Sequence, residues 1–359
     1  MVQILSRPRG KRGHRVRAGA AGGISAIALA AGLAWAAAPA AQAATVSYEV
    51  AYHNSAGDLA LAGPGGTGDS PISNLAIMPG TSPAIAYFEF DGTSDGYLMA
   101  YQDTAGQLIE VATDDGPDAT PFAPGVAMAS GTSPSITALN GDDVEVAVQD
   151  SENDLITVGV GDGSAGMTNW GPMAPGTSPS VTALPSQGAF AFEVAYQGIF
   201  GLLTTVGAED HGAWDLGMAG HTSPAITQLP NGGYEVAFQA NTGVLWTAQS
   251  GASGGTNLSQ GMMAGTSPSI TVQSGGYEIA FQANTGSLIT FGTTTDKNWK
   301  LGMMAGTSPA ITSFPSGGNQ YEVAFQANTG QVWTVGQDDH DAWNSDNTTA
   351  AGTSPSIAQ

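Results

Sequence analysis

A Thr-Ser-Pro tripeptide recurs seven times in this chain, beginning at Thr81, Thr132, Thr177, Thr222, Thr266, Thr307 and Thr353. The spacings are 51, 45, 45, 44, 41 and 46 residues. A period of that length marks a repeat architecture, in which each unit buries its apolar face against its neighbours. A second motif follows each of the first six copies. It is clearest as Tyr234-Glu-Val-Ala-Phe-Gln-Ala-Asn-Thr-Gly243, and recurs from Tyr277 to Gly286 and from Tyr321 to Gly330. Looser copies begin at Tyr97, Val144 and Phe192, and Tyr48-Glu-Val-Ala-Tyr52 stands before the first Thr-Ser-Pro. The sequence therefore opens in the middle of a repeat and closes on the start of one, at Gly352 to Gln359. An open solenoid gains nothing from this offset. A ring of blades uses it to pair the last strand beside the first, leaving no free sheet edge. The expected fold is all-β, a seven-bladed β-propeller of four-stranded blades over residues 45–359, closed by pairing of the N- and C-terminal strands.

Each repeat reads as four short strands. Ser-Pro-Ser-Ile-Thr is the first, with Pro at its start, where a missing N–H is tolerated. Tyr-Glu-Val-Ala-Phe-Gln alternates with period two, and Asn-Thr-Gly makes a hairpin turn in which Gly supplies the positive φ. Leu245-Trp-Thr is a third strand, and the stretch from Trp299 to Met304 a fourth. The 51 glycines fit many turns, because the runs between them are β-branched and aromatic.

Residues 1–43 read as an export signal. Arg7, Arg9, Lys11, Arg12, Arg15 and Arg17 precede an Ala/Gly-rich stretch, and Ala41-Gln42-Ala43 offers the small-x-small pattern for cleavage after Ala43. Secretion is the expected destination. Cleavage removes six of the eight basic residues, leaving Lys297 and Lys300 against 30 acidic side chains, a formal charge of −28. Such a surface repels phosphate backbones and anionic membranes, so neither nucleic acid nor membrane insertion is expected. Cysteine is absent, which excludes thiol catalysis and thiolate metal sites.

No catalytic set assembles. Two of the histidines beyond the leader, His211 and His340, sit in similar Asp-His loops of the third and sixth repeats, too far apart around a ring for one site. Exposed polar loops explain them. Glu49, Glu145, Glu193, Glu235, Glu278 and Glu322 recur at one strand position. They read either as a carboxylate ring for cations or as a repeated structural hydrogen bond to a neighbouring blade's Thr, Ser or N–H. Asp150-Ser-Glu-Asn-Asp154 either binds calcium weakly or is a solvated acidic turn; no other cofactor is expected. Trp246 and Trp333 share a slot with Ile109, Ile156 and Ile289, which indicates core packing.

Trp170, Trp214, Trp299 and Trp343 lie on or beside the outermost strand, after polar loops. An indole there can stack on a sugar's C–H face, with Gln239, Asn241, Gln282, Asn284, Gln326 and Asn328 supplying amides to its hydroxyls. The plainer alternative is that the indoles cover the blade and Asn makes the turn. The tandem Gly-Thr-Ser-Pro-Ser-Ile and Tyr-Glu-Val-Ala-Phe-Gln-Ala-Asn-Thr-Gly-x-Leu-Trp-Thr units resemble the repeat of secreted actinobacterial propellers, broadly similar to tectonin-like and mushroom seven-bladed propeller lectins. The resemblance covers Thr45 to Gln359 and implies sugar pockets between neighbouring blades. The repeats between Thr81 and Gly176 depart from it in the hairpin, and Leu258 replaces Trp in one fourth strand. The leading expectation is a secreted, non-catalytic, monomeric carbohydrate-binding propeller whose several weak sites act through avidity. A protein-interaction propeller is the alternative. A hydrolase or lyase with carboxylates converging at one end of the central channel is a third.

Overall fold

A computed structural model describes residues 48–63, 70–90, 94–113, 121–139, 143–160, 166–209, 212–293, 296–314, 319–336 and 343–359. The export signal and its cleavage point lie outside these residues, as do His211 and His340. Every described element is a strand, and no described helix could cross a membrane.

Blades are numbered here from Thr81. The seventh is composite: β1 (Glu49–His53), β2 (Asp58–Ala62) and β3 (Ser70–Ala76) are joined by β27 (Ser356–Ala358), in the order β27-β1-β2-β3. Antiparallel pairing of Glu49 with Ala358, Val50 with Ile357 and Ala51 with Ser356 closes the ring as the phase offset requires. Blade 1 holds β4 (Ala84–Phe90), β5 (Ser94–Gln102) and β6 (Leu108–Ala112). Its fourth position is reduced to isolated bridges at Phe122 and Ala127. Blade 2 runs from β7 (Ser135–Ala138) through β8 (Val144–Gln149) and β9 (Asp154–Val160) to β10 (Met167–Pro172). Blade 3 is β11 (Ser180–Ala183), β12 (Phe192–Gln197), β13 (Leu202–Gly207) and β14 (Gly212–Gly217). Blade 4 is β15 (Ala225–Gln228), β16 (Tyr234–Gln239), β17 (Val244–Gln249) and β18 (Gly255–Gly261). Blade 5 is β19 (Ser269–Gln273), β20 (Gly276–Gln282), β21 (Ser287–Gly292) and β22 (Asp296–Gly302). Blade 6 is β23 (Ala310–Ser313), β24 (Tyr321–Gln326), β25 (Gln331–Gly336) and β26 (Trp343–Thr348).

Each residue of Thr-Ser-Pro has a structural task. The Thr hydroxyl donates to the carbonyl three residues back in all seven copies, from Thr81 to Met78 O (2.8 Å) through Thr353 to Ala350 O (2.9 Å). The Ser residues form a closed circle. Ser82 N–H donates to Ser133 Oγ, Ser133 to Ser178, Ser178 to Ser223, Ser223 to Ser267, Ser267 to Ser308, Ser308 to Ser354, and Ser354 back to Ser82, each at 2.8–2.9 Å. Seven equal links with no break make a sevenfold ring. Pro then opens the inner strand, where it is buried in every blade and no N–H is needed.

The inner strand is the exposed edge of each sheet, and its unpaired N–H groups need partners. Hydroxyls of the preceding blade supply them: Ser135 to Val181 N–H (3.1 Å), Thr137 to Ala183 N–H (3.2 Å), Ser180 to Ile226 N–H (3.2 Å) and Thr182 to Gln228 N–H (3.2 Å). The core lies between adjacent sheets, where both faces of strands such as Tyr234–Gln239 and Tyr321–Gln326 are buried.

Candidate functional site

In a four-stranded antiparallel blade, the start of strand one and the hairpin between strands two and three share one end. The Ser circle and the Asn-Thr-Gly hairpins therefore mark one face of the ring. The loops joining strands one to two and three to four mark the other.

The recurrent Glu residues are the hub of the seams between blades. Glu235 accepts from Thr247 of its own blade, and Tyr277 of the next blade bonds the same Thr247. Thr205 meets Tyr234 (3.1 Å), Thr290 meets Tyr321 (2.9 Å) and Thr334 meets Tyr48 (2.7 Å) in the same way. The Tyr48 hydroxyl also donates to Glu322 (3.4 Å). Opposite the carboxylates stand glycines, Gly207 across from Glu193 and Gly292 across from Glu278. A Cβ on Gly292 would lie 2.5 Å from Glu278 Oε2, so glycine gives the carboxyl room there, whereas in blade 4 Gln249 stands across from Glu235. Burial pushes the carboxyls of Glu49, Glu145 and Glu235 up to about 7. In blades 3 to 6 the carboxyls thus serve the joint, with Thr in the same blade and Tyr from the next; Phe192 takes the Tyr position after blade 2, and Leu61 the Thr position in blade 7.

Blade 1 rearranges this joint. Leu98 stands in the Glu position, and Glu110, paired across from Ala100, stands where other blades place Thr. The next blade offers Val144 in place of Tyr. Burial, then the nearby charge of Glu145, pushes Glu110 up to about 7.

Three of the four outer tryptophans donate their indole N–H into these seams. Trp170 bonds Thr157 (3.0 Å), Trp214 bonds Thr205 (3.1 Å) and Trp299 bonds Thr290 (3.1 Å). Their rings differ in what they leave open. Trp170 meets the edge of Phe192 at 6.4 Å. Lys297 Nζ sits 3.3 Å from the Trp299 ring centroid, so a cation covers the face that a sugar would need. Trp343 pairs with Thr334 at the start of its strand, whereas Lys297 is the residue opposite Thr290, so the register sets Trp343 two positions before the Trp299 slot. Trp246 and Trp333 pack against the cores of blades 4 and 6, as the interchange with Ile indicates.

Where amides for a sugar's hydroxyls are expected, the structure places joints. Gln239, Gln282 and Gln326 are 0–1 % exposed. Gln239 Nε2 donates to Met263 O (3.0 Å) and Gln282 Nε2 to Met303 and Met304 O (3.3 Å each), fixing the link to the next blade. His53 fills this slot in blade 7, with Nδ1 3.2 Å from Thr81 O; burial lowers its pKa. Asn241, Asn284 and Asn328 are exposed, with N–H groups bonded to the preceding blade at Gly217, Gly261 and Gly302 O (3.0–3.1 Å). Their side chains lie against those same glycines. At Asp150 the Oδ1 accepts from Glu152 and Asp154 N–H (2.9 and 2.8 Å), as Asp103 and Asn54 do in their own hairpins, which is turn chemistry. No three acidic or histidine side chains converge among the described residues.

Three cavities stand out among the described residues. The central channel, of about 820 Å³, is walled by the inner strands of all seven blades, with no Asp or Glu among its described lining. A seam cavity of about 440 Å³ between blades 3 and 4 is lined by Trp214, Asp215, Leu216 and the Gly251–Gly254 loop. A third, of about 400 Å³ between blades 4 and 5, holds Asn231, Glu235, Gln249, Tyr277 and Thr293. Sequence reasoning found Trp214 but not its neighbours, because the loop that completes the pocket comes from the next repeat.

The fold defines a seven-bladed β-propeller. Among solved structures it is similar to the BP39L lectin from Burkholderia pseudomallei, with a TM-score of 0.59 and 13 % identity over 84 % of this chain and 95 % of that one. It is also similar to the fungal Aleuria aurantia lectin, a six-bladed propeller with a fucose recognition mode (TM-score 0.52, 14 % identity, 75 % of this chain and 95 % of that one). No protein-family model and no curated protein matches the sequence.

Proposed function

We propose that this protein is a secreted, non-catalytic, monomeric carbohydrate-binding propeller, which takes sugars in the seams between blades. The observation that carries this reading is the cavity at Trp214. An indole wall beside an exposed carboxylate, Asp215, and a glycine-rich backbone offers the stacking surface and hydrogen-bonding groups that a pyranose needs. The cavity around Asn231, Gln249 and Tyr277 is a second such place. Lectins among the structural neighbours support the class of ligand. The lack of acidic side chains in the described channel lining weighs against a hydrolase or lyase working there. Titration of tryptophan emission with methyl glycosides, methyl α-L-fucoside among them, tests the site. Asp215→Asn, at an exposed position, should reduce the response by the share of the Trp214 pocket in a fully folded protein; an unchanged titration would remove this pocket from the reading.

One observation favours the protein-interaction alternative. Blade 3 replaces the Asn-Thr of its hairpin with Ile199-Phe200, both exposed, on the face of the Ser circle. Retention of a partner by the wild type and not by Phe200→Ser, with no glycan bound by either, would favour it.

A further inference from the structure

Blade 5 breaks the ring's symmetry at the mouth of the central channel. Its repeat is the shortest, 41 residues from Thr266 to Thr307, and the connection between its first two strands is also the shortest, with Tyr277 only 11 residues after Thr266. Gln273 pairs directly with Gly276 there, whereas blade 3 runs from Leu184 to Ala191 before its strands meet. Register places Gln273 level with Leu184, Leu229 and Phe314 of blades 3, 4 and 6. Three apolar side chains and one amide thus share the position. Gln273 is 3 % exposed, lines the channel, and has neither Nε2 nor Oε1 hydrogen-bonded to the protein. A buried amide without partners destabilises a fold, and Leu would fill the same space without that cost.

The described lining around it carries no charged side chain: there is no Asp, Glu, Lys, Arg or His, although the chain is strongly acidic. Apolar walls from Ile136, Leu229 and Phe314 alternate with hydrogen-bonding groups from Gln228, Ser274 and Ser313. A volume of about 820 Å³ suits a small ligand.

We propose that this mouth binds one neutral hydroxylated ligand, the end of a sugar or a polyol, read by Gln273. An amide carries a donor and an acceptor side by side, which match two neighbouring hydroxyls, one accepting from Nε2 and the other donating to Oε1. The amide atoms lie just beneath the lumen surface, and the torsions of a Gln side chain turn them outward when a ligand supplies the partners. The site is single, unlike the seam cavities, because among the described residues blade 5 alone places an amide at this register position. It rests on the carbohydrate reading for the chemistry of its ligand.

Gln273→Leu tests it, since Leu occupies the equivalent position in blades 3 and 4 and the variant should fold. Melting is compared with and without methyl α-D-glucopyranoside, methyl α-L-fucoside and myo-inositol, and calorimetry counts the sites. The unliganded variant should melt above the wild type, and one site should be lost from the stoichiometry, while Asp215→Asn keeps that site. A variant that melts below the wild type would overturn the proposal, as would unchanged stoichiometry or no binding by the wild type. Unchanged binding in Gln273→Leu together with loss in Asp215→Asn would leave the seam reading standing and remove the channel site alone.

Discussion

Replacing Glu235 by Gln should flatten the pH dependence of stability without disturbing the seam. The carboxyl is buried, accepts from Thr247, and burial pushes it up to about 7 from an ordinary value of 4.5. Below pH 4.5 it is protonated in both states and carries no penalty. Between 4.5 and 7 the unfolded chain loses the proton while the folded chain keeps it. Stability therefore falls as pH rises through this window, then levels off once the folded carboxyl has also ionised. A displacement of roughly 2.5 pH units corresponds to about 3 kcal/mol at full ionisation, with a steepest slope of about 1.4 kcal/mol per pH unit near pH 6. Gln keeps the shape and an acceptor for Thr247 but cannot ionise. Urea unfolding of wild type and Glu235→Gln at half-unit steps from pH 4.5 to 8, at constant ionic strength, measures the difference. The variant should gain on the wild type as pH rises, by up to about 3 kcal/mol. Parallel curves would refute the reasoning, because they would mean that Glu235 ionises as readily in the fold as in the unfolded chain.

Two further perturbations address closure. Ser223→Ala leaves the N–H of Ser178 without its acceptor and should cost about 1–3 kcal/mol in urea unfolding. The equivalent changes at Ser133 and Ser308 should cost nearly the same, since the links are alike. Deleting residues 353–359 removes β27 and Ser354, opening blade 7 and the Ser circle together. Size-exclusion chromatography should then show self-association through the freed edge of β1, where the intact chain is expected to run as a monomer.

Architecture was legible because the repeat repeats its backbone needs. Thr-Ser-Pro announced the blade count, and its phase against Tyr-Glu-Val-Ala-Tyr52 announced which strands would close the ring. What each motif residue does was less legible, because the partners lie one blade away. Ser82 and Ser133 are 51 residues apart, and nothing local says that one N–H meets the other hydroxyl. The same holds for Gln239, whose repetition suits a ligand site and a joint equally until its bond to Met263 O is seen. Trp299 reads as a stacking surface until Lys297 is found over its ring. Trp343 could not be told from the other outer indoles without strand register. The exchange of Leu98 and Glu110 in blade 1 takes its meaning from the Tyr hydroxyl missing at Val144 of the next blade.

The most direct measurement is a screen of the purified protein against an array of immobilised glycans, alongside Asp215→Asn and with folding verified by circular dichroism. Binding to a related set of glycans, weakened in the variant, is the result expected of a propeller that holds sugars in its seams. A folded protein that binds no glycan on the array would contradict that account.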